Sequence, residues 1–473
     1  MKTKSLWEKY SAAEVKKAEA FAKEYIDFIS NAKTERECTC EIVNRLEEAG
    51  FIELAKYVSL GKKPKSGDKI YSVKMNKSVA AFVIGKEPIE NGMNILGAHI
   101  DSPRMDVKQN PLYEDSEICY LDTHYYGGIK KYQWVTIPLS LHGVIIKKDG
   151  TTVEVNIGED EDDPVFFVSD LLIHLASEQM EKKASKVIEG EALDIIIGNK
   201  PFVVKPSRTS QDKAKQAEDT KEAVKKNILD ILQEGYGVTE EDFLSAELEV
   251  VPAGKARFAG LDKSLILGYG HDDRVCAFPS LKALLDVKSV NRTACCLLVD
   301  KEEIGSVGAT GMRSHFFEDT VAELIALSGN YSDLKVRRAL AASNMLSSDV
   351  NAAYDPSHAA AFDKRNTSYL GHGLVLNKFT GSRGKSGSND SNAEYIAQLR
   401  NIFATDKVDF QMAELGKVDV GGGGTIAYIL ALYGMNVIDA GVAVLNMHAP
   451  WEAISTADLY ETKRGYDSFL KRM

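Results

Sequence analysis

At 473 residues and 52.0 kDa, the chain exceeds the ~100 to 200 residues of a usual domain, which predicts two or more domains with at least one substantial core. Lys and Arg number 58 against 69 Asp and Glu, a formal charge of -11, so the cationic surface that nucleic-acid and anionic-membrane binding draw on is lacking. With 44% hydrophobic and 27% charged residues, the composition excludes a disordered chain.

The first 45 residues show no charged tip followed by an apolar run. Phe21, Tyr25 and Phe28 instead recur between Lys and Glu at helical intervals, which predicts an amphipathic helix over 12–29, a second over 38–48, and no signal peptide. No apolar stretch reaches the ~18 to 20 residues that span a bilayer, and Asp439 interrupts the run at 437–447, so a cytoplasmic protein is expected. Strands over 79–85 and 93–98 give an α/β opening. From 105 to 247 the texture becomes β-rich, with patches at 133–146 and 152–157. A charged tract at 205–226 follows, too poor in apolar residues to offset its ordering entropy, and predicts a mobile surface loop. After 248 the α/β texture returns with helices over 276–286, 392–400 and 424–433 and strands over 293–299 and 437–445. A discontinuous α/β domain, 1–104 and 248–473, interrupted by a β-rich domain, 105–247, is expected. The six cysteines form no Cys-x-x-Cys pair and predict buried free thiols.

Four motifs carry candidate chemistry. His99 closes an apolar strand with Asp101 two residues on, an arrangement suited to a metal ligand whose other ring nitrogen is oriented by a carboxylate; a satisfied structural histidine is the ordinary alternative. Asp272-Asp273 precede a helical pattern, where paired carboxylates form either a solvated helix cap or a bridging ligand of a two-metal site. The buried run Thr293 to Val299 delivers Glu302 and Glu303 to its carboxyl end, where open α/β sheets bind ligands. One can bind metal while the other faces the water. Asp349 and His448 follow in Ser-Ser-Asp-Val-Asn and Asn-Met-His-Ala-Pro. Together His99, Asp272, Glu303, Asp349 and His448 make a set of two histidines and three carboxylates that suits paired zinc or manganese ions and lacks thiolates.

These motifs, Gly97-Ala98-His99-Ile100-Asp101-Ser102-Pro103, Asp272-Asp273, Glu302-Glu303-Ile304-Gly305-Ser306, Ser348-Asp349 and Met447-His448, resemble in order the aspartyl-aminopeptidase family of dinuclear zinc aminopeptidases, in its bacterial aminopeptidase 1 branch. The resemblance implies a zinc-peptidase-like catalytic domain with a central mixed sheet flanked by helices, and an inserted lid and oligomerisation domain. It implies two zinc ions per subunit, with manganese or cobalt as substitutes. His99 and Asp349 would hold one ion, Glu303 and His448 the other, and Asp272 both. Glu302 would be the general base and Asp101 the partner of His99. The family also implies that His174, in the inserted domain, reaches a neighbouring subunit's active site. The stretch Gly421 to Gly424, which includes Gly422 and Gly423 and lacks the Lys of a phosphate-binding loop, would wall the substrate pocket.

The implied activity is removal of the N-terminal residue from peptides by a homo-dodecamer built from dimers, with residues 134–139 available for pairing. The aspartyl-specific pattern is broken around Lys378, Arg383 and Lys385, which favours neutral or hydrophobic N-terminal residues and leaves acidic ones open. A related metal carboxypeptidase or amidohydrolase, or a non-catalytic scaffold shell, are the alternative readings.

Overall fold

The computed structural model describes residues 4–202 and 221–473. It separates into two compact units, Met1–Ser102 with Ala256–Met473, and Pro103–Lys255. The inserted unit thus reaches slightly beyond the 105–247 expected.

The first unit is mixed α/β. Its nine-stranded sheet runs in the order Ile52–Glu53, Lys69–Lys74, Ser78–Val83, Thr293–Val299, Met93–His99, Asn344–Ser347, Asn436–Gly441, Leu374–Asn377, Phe410–Ala413. The four strands from Thr293–Val299 to Asn436–Gly441 are mutually parallel, whereas Ser78–Val83 pairs antiparallel with Thr293–Val299 and Leu374–Asn377 antiparallel with Asn436–Gly441. Strands 93–99 and 293–299 are buried along their whole length, as expected of parallel strands covered on both faces. A smaller sheet, in the order Arg257–Ala259, Leu265–Gly268, Glu452–Ser455, Ala443–Leu445, Asn351–Ala352, completes the unit.

Helix Ala12–Asn31 begins at a capping box made by Ser11 and Glu14, and helix Glu35–Glu48 at one made by Thr34 and Glu37; each box satisfies otherwise orphaned amides. Ala12–Asn31 buries Phe21, Tyr25 and Phe28 around Phe278 of helix His271–Leu285, whose ring lies 5.2, 5.6 and 5.0 Å from theirs. Phe278 is fully buried. Its replacement by Ala should cost about 3–5 kcal/mol, read as a lower urea midpoint; a loss below 1 kcal/mol would show that this aromatic cluster does not anchor the helix.

The second unit is β-rich. Its six-stranded antiparallel sheet has the order Thr152–Ile157, Leu139–Ile146, Ala246–Pro252, Arg104–Asp115, Ile118–Tyr126, Ile195–Gly198. Three local expectations need correction. The strand expected from 133 starts only at Leu139, because Lys131–Gln133 forms a 3-10 turn and Trp134 is completely buried; its side chain is not available for pairing. The charged tract ends in helix Ala223–Tyr236, and its residues 205–220 lie outside the described residues. In the first unit, the helix expected over 424–433 shrinks to Ala427–Ala431. All six cysteines are free, and all but Cys40 are buried.

Candidate metal centre

Three neighbouring parallel strands deliver the candidate residues to one edge. Met93–His99 ends on His99, Thr293–Val299 runs through Asp300 into the 3-10 turn Glu302–Ile304, and Asn344–Ser347 is followed at once by Ser348 and Asp349. This is the carboxyl-terminal edge, where open α/β sheets place their ligands. Asp272 arrives from the start of helix His271–Leu285, in a non-helical conformation. His448 arrives from the loop between strands Ala443–Leu445 and Glu452–Ser455.

Asp272 is buried, and its two oxygens face different imidazoles: Oδ1 lies 3.2 Å from His99 Nε2, and Oδ2 lies 3.3 Å from His448 Nε2. His448 Nε2 is also 3.6 Å from Glu303 Oε2. Ligand atoms of His99, Asp272 and Glu303 all lie within 4.8 Å of one another, as do those of His99, Asp273 and Asp349. Asp101 works behind this group. His99 Nδ1 lies 3.0 Å from its carbonyl oxygen and 3.3 Å from its Oδ1, a contact that would keep the ring proton on Nδ1 when the Nε2 lone pair holds a metal. The Asp101 carboxylate also accepts the backbone N–H groups of Glu302 at 3.1 Å and Glu303 at 3.2 Å. One buried aspartate therefore orients a histidine and both glutamates.

Crowding sets the electrostatics. Burial, reinforced by Asp272, drives Glu303 well above the ordinary carboxylate range. Burial likewise raises Asp349, reinforced by Glu302 and Asp272, and Asp273, reinforced by Asp349. Burial lifts Glu302 from 4.5 to about 7 against the pull of His99. Asp272 goes the other way: burial opposes its charge, but hydrogen bonds from His448 and His99 hold it below the usual range. Glu303 Oε1 and Asp273 Oδ1 are buried without a hydrogen-bond partner. Converging carboxylates with orphaned oxygens are costly unless a cation joins them. The nitrogen and oxygen donor set fits zinc.

Asp273 was not singled out from the sequence, although it stood in the same motif. It is completely buried, and its Oδ2 accepts the His99 N–H at 3.3 Å. Those ligand groups include none of His174, Gly422, Gly423 and Lys378. His174 lies in the second unit on the 3-10 turn Ile173–Leu175 and is exposed. Gly422 has φ +125°, and a Cβ there would come within 2.5 Å of Ser382 Cα; the backbone approach demands glycine. The Gly423 N–H is already donated to Thr380 O. Lys378 is exposed, with Nζ 3.8 Å from Asp390.

Residues 28–470 match the family model described as "Aminopeptidase I zinc metalloprotease (M18)". The chain belongs to that family. It is the aspartyl-aminopeptidase family that the motifs resemble. The chain is 58% identical over 467 residues to the "Probable M18 family aminopeptidase 1" of Clostridium acetobutylicum, covering 99% of this chain and 98% of the relative. The crystal structure of the M18 family aminopeptidase from Thermotoga maritima superposes with a TM-score of 0.92 at 43% identity, each chain covered completely. The fold is also that of the mApe1 dodecamer of S. cerevisiae, with a TM-score of 0.74 at 22% identity over 95% of this chain and 96% of that one. Among the described residues, no helix is long and apolar enough to cross a membrane.

A pH-dependence follows for the metal-free protein. Carboxyls raised on folding bind more protons in the folded than in the unfolded chain, so their stabilising contribution is complete below the unfolded value and is lost as pH rises through the folded one. For Glu302 that window runs from 4.5 to about 7, and the raised Glu303, Asp349 and Asp273 act in the same direction. In chelator the melting temperature should therefore fall between pH 5 and 7.5. Zinc should stabilise progressively more over the same range, because it binds the deprotonated ligands. Calorimetry with and without zinc checks this, and a zinc-induced shift independent of pH would contradict it.

Proposed function

We propose that the protein is an aminopeptidase that holds two zinc ions, one between His99 and Asp349 and the other between Glu303 and His448, with Asp272 shared. Asp272 carries this reading: a buried carboxylate whose oxygens are divided between two imidazoles has the disposition of a bridging ligand. Ions bound there supply Lewis-acid polarisation of the scissile carbonyl and lower the pKa of the attacking water. Glu302 takes the proton and returns it to the departing amine, a task suited to a carboxyl raised to about 7 and therefore balanced between its two forms near neutral pH. Its Oε2 lies 4.0 Å from His99 Nε2, beside the donors without being spent among them. Asp101 keeps the glutamate turn and the His99 ring in place.

Neutral or hydrophobic N-terminal residues are the favoured substrates. Lys378 and Lys385, the nearest equivalents of an acid-binding cation, both turn to Asp390, at 3.8 and 3.0 Å, which offsets their charge. Assembly as a homo-dodecamer is part of the reading. It is supported by the assembly of the mApe1 relative and by the exposed Leu171, Leu172, Ile173 and Leu175 of the second unit, which leave apolar surface to cover. His174 lies in that run, in keeping with a role at a subunit interface.

A panel of aminoacyl chromogenic substrates tests the function. Leu and Ala derivatives should be cleaved faster than Asp and Glu derivatives, and N-acetylated controls should not be cleaved. Chelator should abolish release, and zinc, manganese or cobalt should restore it. No release from any substrate would refute the reading, and a monomeric mass by light scattering would refute the assembly.

A further inference from the structure

We propose that Glu452 is a positioning residue that holds Asp272 and His448 in fixed relation, a role that rests on the two-ion reading above. Glu452 opens strand Glu452–Ser455 and is 1% exposed. Its Oε2 accepts the backbone N–H of Asp272 at 3.0 Å, and its Oε1 accepts that of His448 at 2.7 Å. One buried carboxylate thus joins the two segments whose side chains meet at 3.3 Å, Asp272 Oδ2 to His448 Nε2.

Both segments are irregular where it grips them. Asp272 has φ −76° and ψ 106°, outside helical geometry, and His448 has φ +64°. A left-handed conformation is uncommon for a residue other than glycine, and it persists where the surroundings over-determine it. The two Glu452 oxygens supply that constraint, each accepting one backbone N–H. It is itself firmly placed. Its strand pairs with Leu265–Gly268, where Gly268 stands opposite Glu452, and with Ala443–Leu445. Those strands lead into the Asp272 and His448 segments respectively, so the clamp is anchored to the base of each loop it closes.

Full-length Glu452→Gln decides the matter, with zinc alone as the probe in chelator competition. Gln keeps one acceptor and turns an NH2 group towards the other backbone N–H. Zinc affinity should fall by ~10- to 100-fold, as for other groups that orient ligands, and kcat should fall with KM little changed. Glu452→Asp, which keeps both carboxyl oxygens but is too short to reach both amides, should show a smaller loss in the same direction and serves if the Gln variant does not fold. In the metal-free wild type the His448 amide should be protected from hydrogen exchange despite its place in a loop. Wild-type zinc affinity in the variants, or a freely exchanging His448 amide, would overturn the proposal. A wild-type protein that neither binds zinc nor releases amino acids would instead overturn the two-ion reading.

Discussion

Glu302→Gln should lower kcat by ~10²- to 10⁴-fold, the usual contribution of a general acid–base group, with zinc content unchanged. The side chain sits 4.0 Å from His99 Nε2 and is held through its backbone by Asp101. Burial places its pKa at about 7, so the group can both accept and return a proton near neutrality. Gln preserves the shape and removes only that capacity. The pH profile is the second readout: the acidic limb that reports Glu302 in the wild type should vanish from the residual activity of the variant. Near-wild-type kcat would remove Glu302 from the mechanism, and a parallel loss of zinc would make it a ligand.

Asp272→Ala should be at least as severe, with a different signature. Its two oxygens face His99 and His448 on opposite sides, so one truncation withdraws a donor from both proposed ion positions. Zinc content should fall by at least one ion per chain, and activity by about 10³-fold, equivalent to several kcal/mol of transition-state stabilisation. Excess zinc should rescue it only in part. Metal analysis and rate measurements on one preparation check this; full zinc content with normal rates would show that Asp272 bridges nothing.

Much of the centre was legible because each piece is local. An apolar run ending in His99, and another followed within four residues by Glu302 and Glu303, mark strand ends directly, and parallel pairing then brings those ends together. The double duty of Asp101 was half legible. Spacing pointed to His99, but the hydrogen bonds to Glu302 and Glu303 exist only once the two strands lie side by side. Asp273 was overlooked because neighbouring carboxylates look alike until the backbone between them departs from the helix. Glu452 carried no signal, since its partners are backbone amides. In the fold, the errors arose where apolar composition was read as regular structure. Trp134 is buried from an irregular turn, and within the tetraglycine run Gly422 packs against Gly381 and Ser382 before the short helix begins.

The central claim is that His99, Asp349, Asp272, Glu303 and His448 hold two zinc ions. Anomalous diffraction from crystals of the zinc-loaded protein, recorded on both sides of the zinc absorption edge, tests it most directly. Two peaks are predicted, one beside His99 and Asp349 and the other beside Glu303 and His448, with the Asp272 carboxylate between them. A single peak, or none at these side chains, would contradict the account.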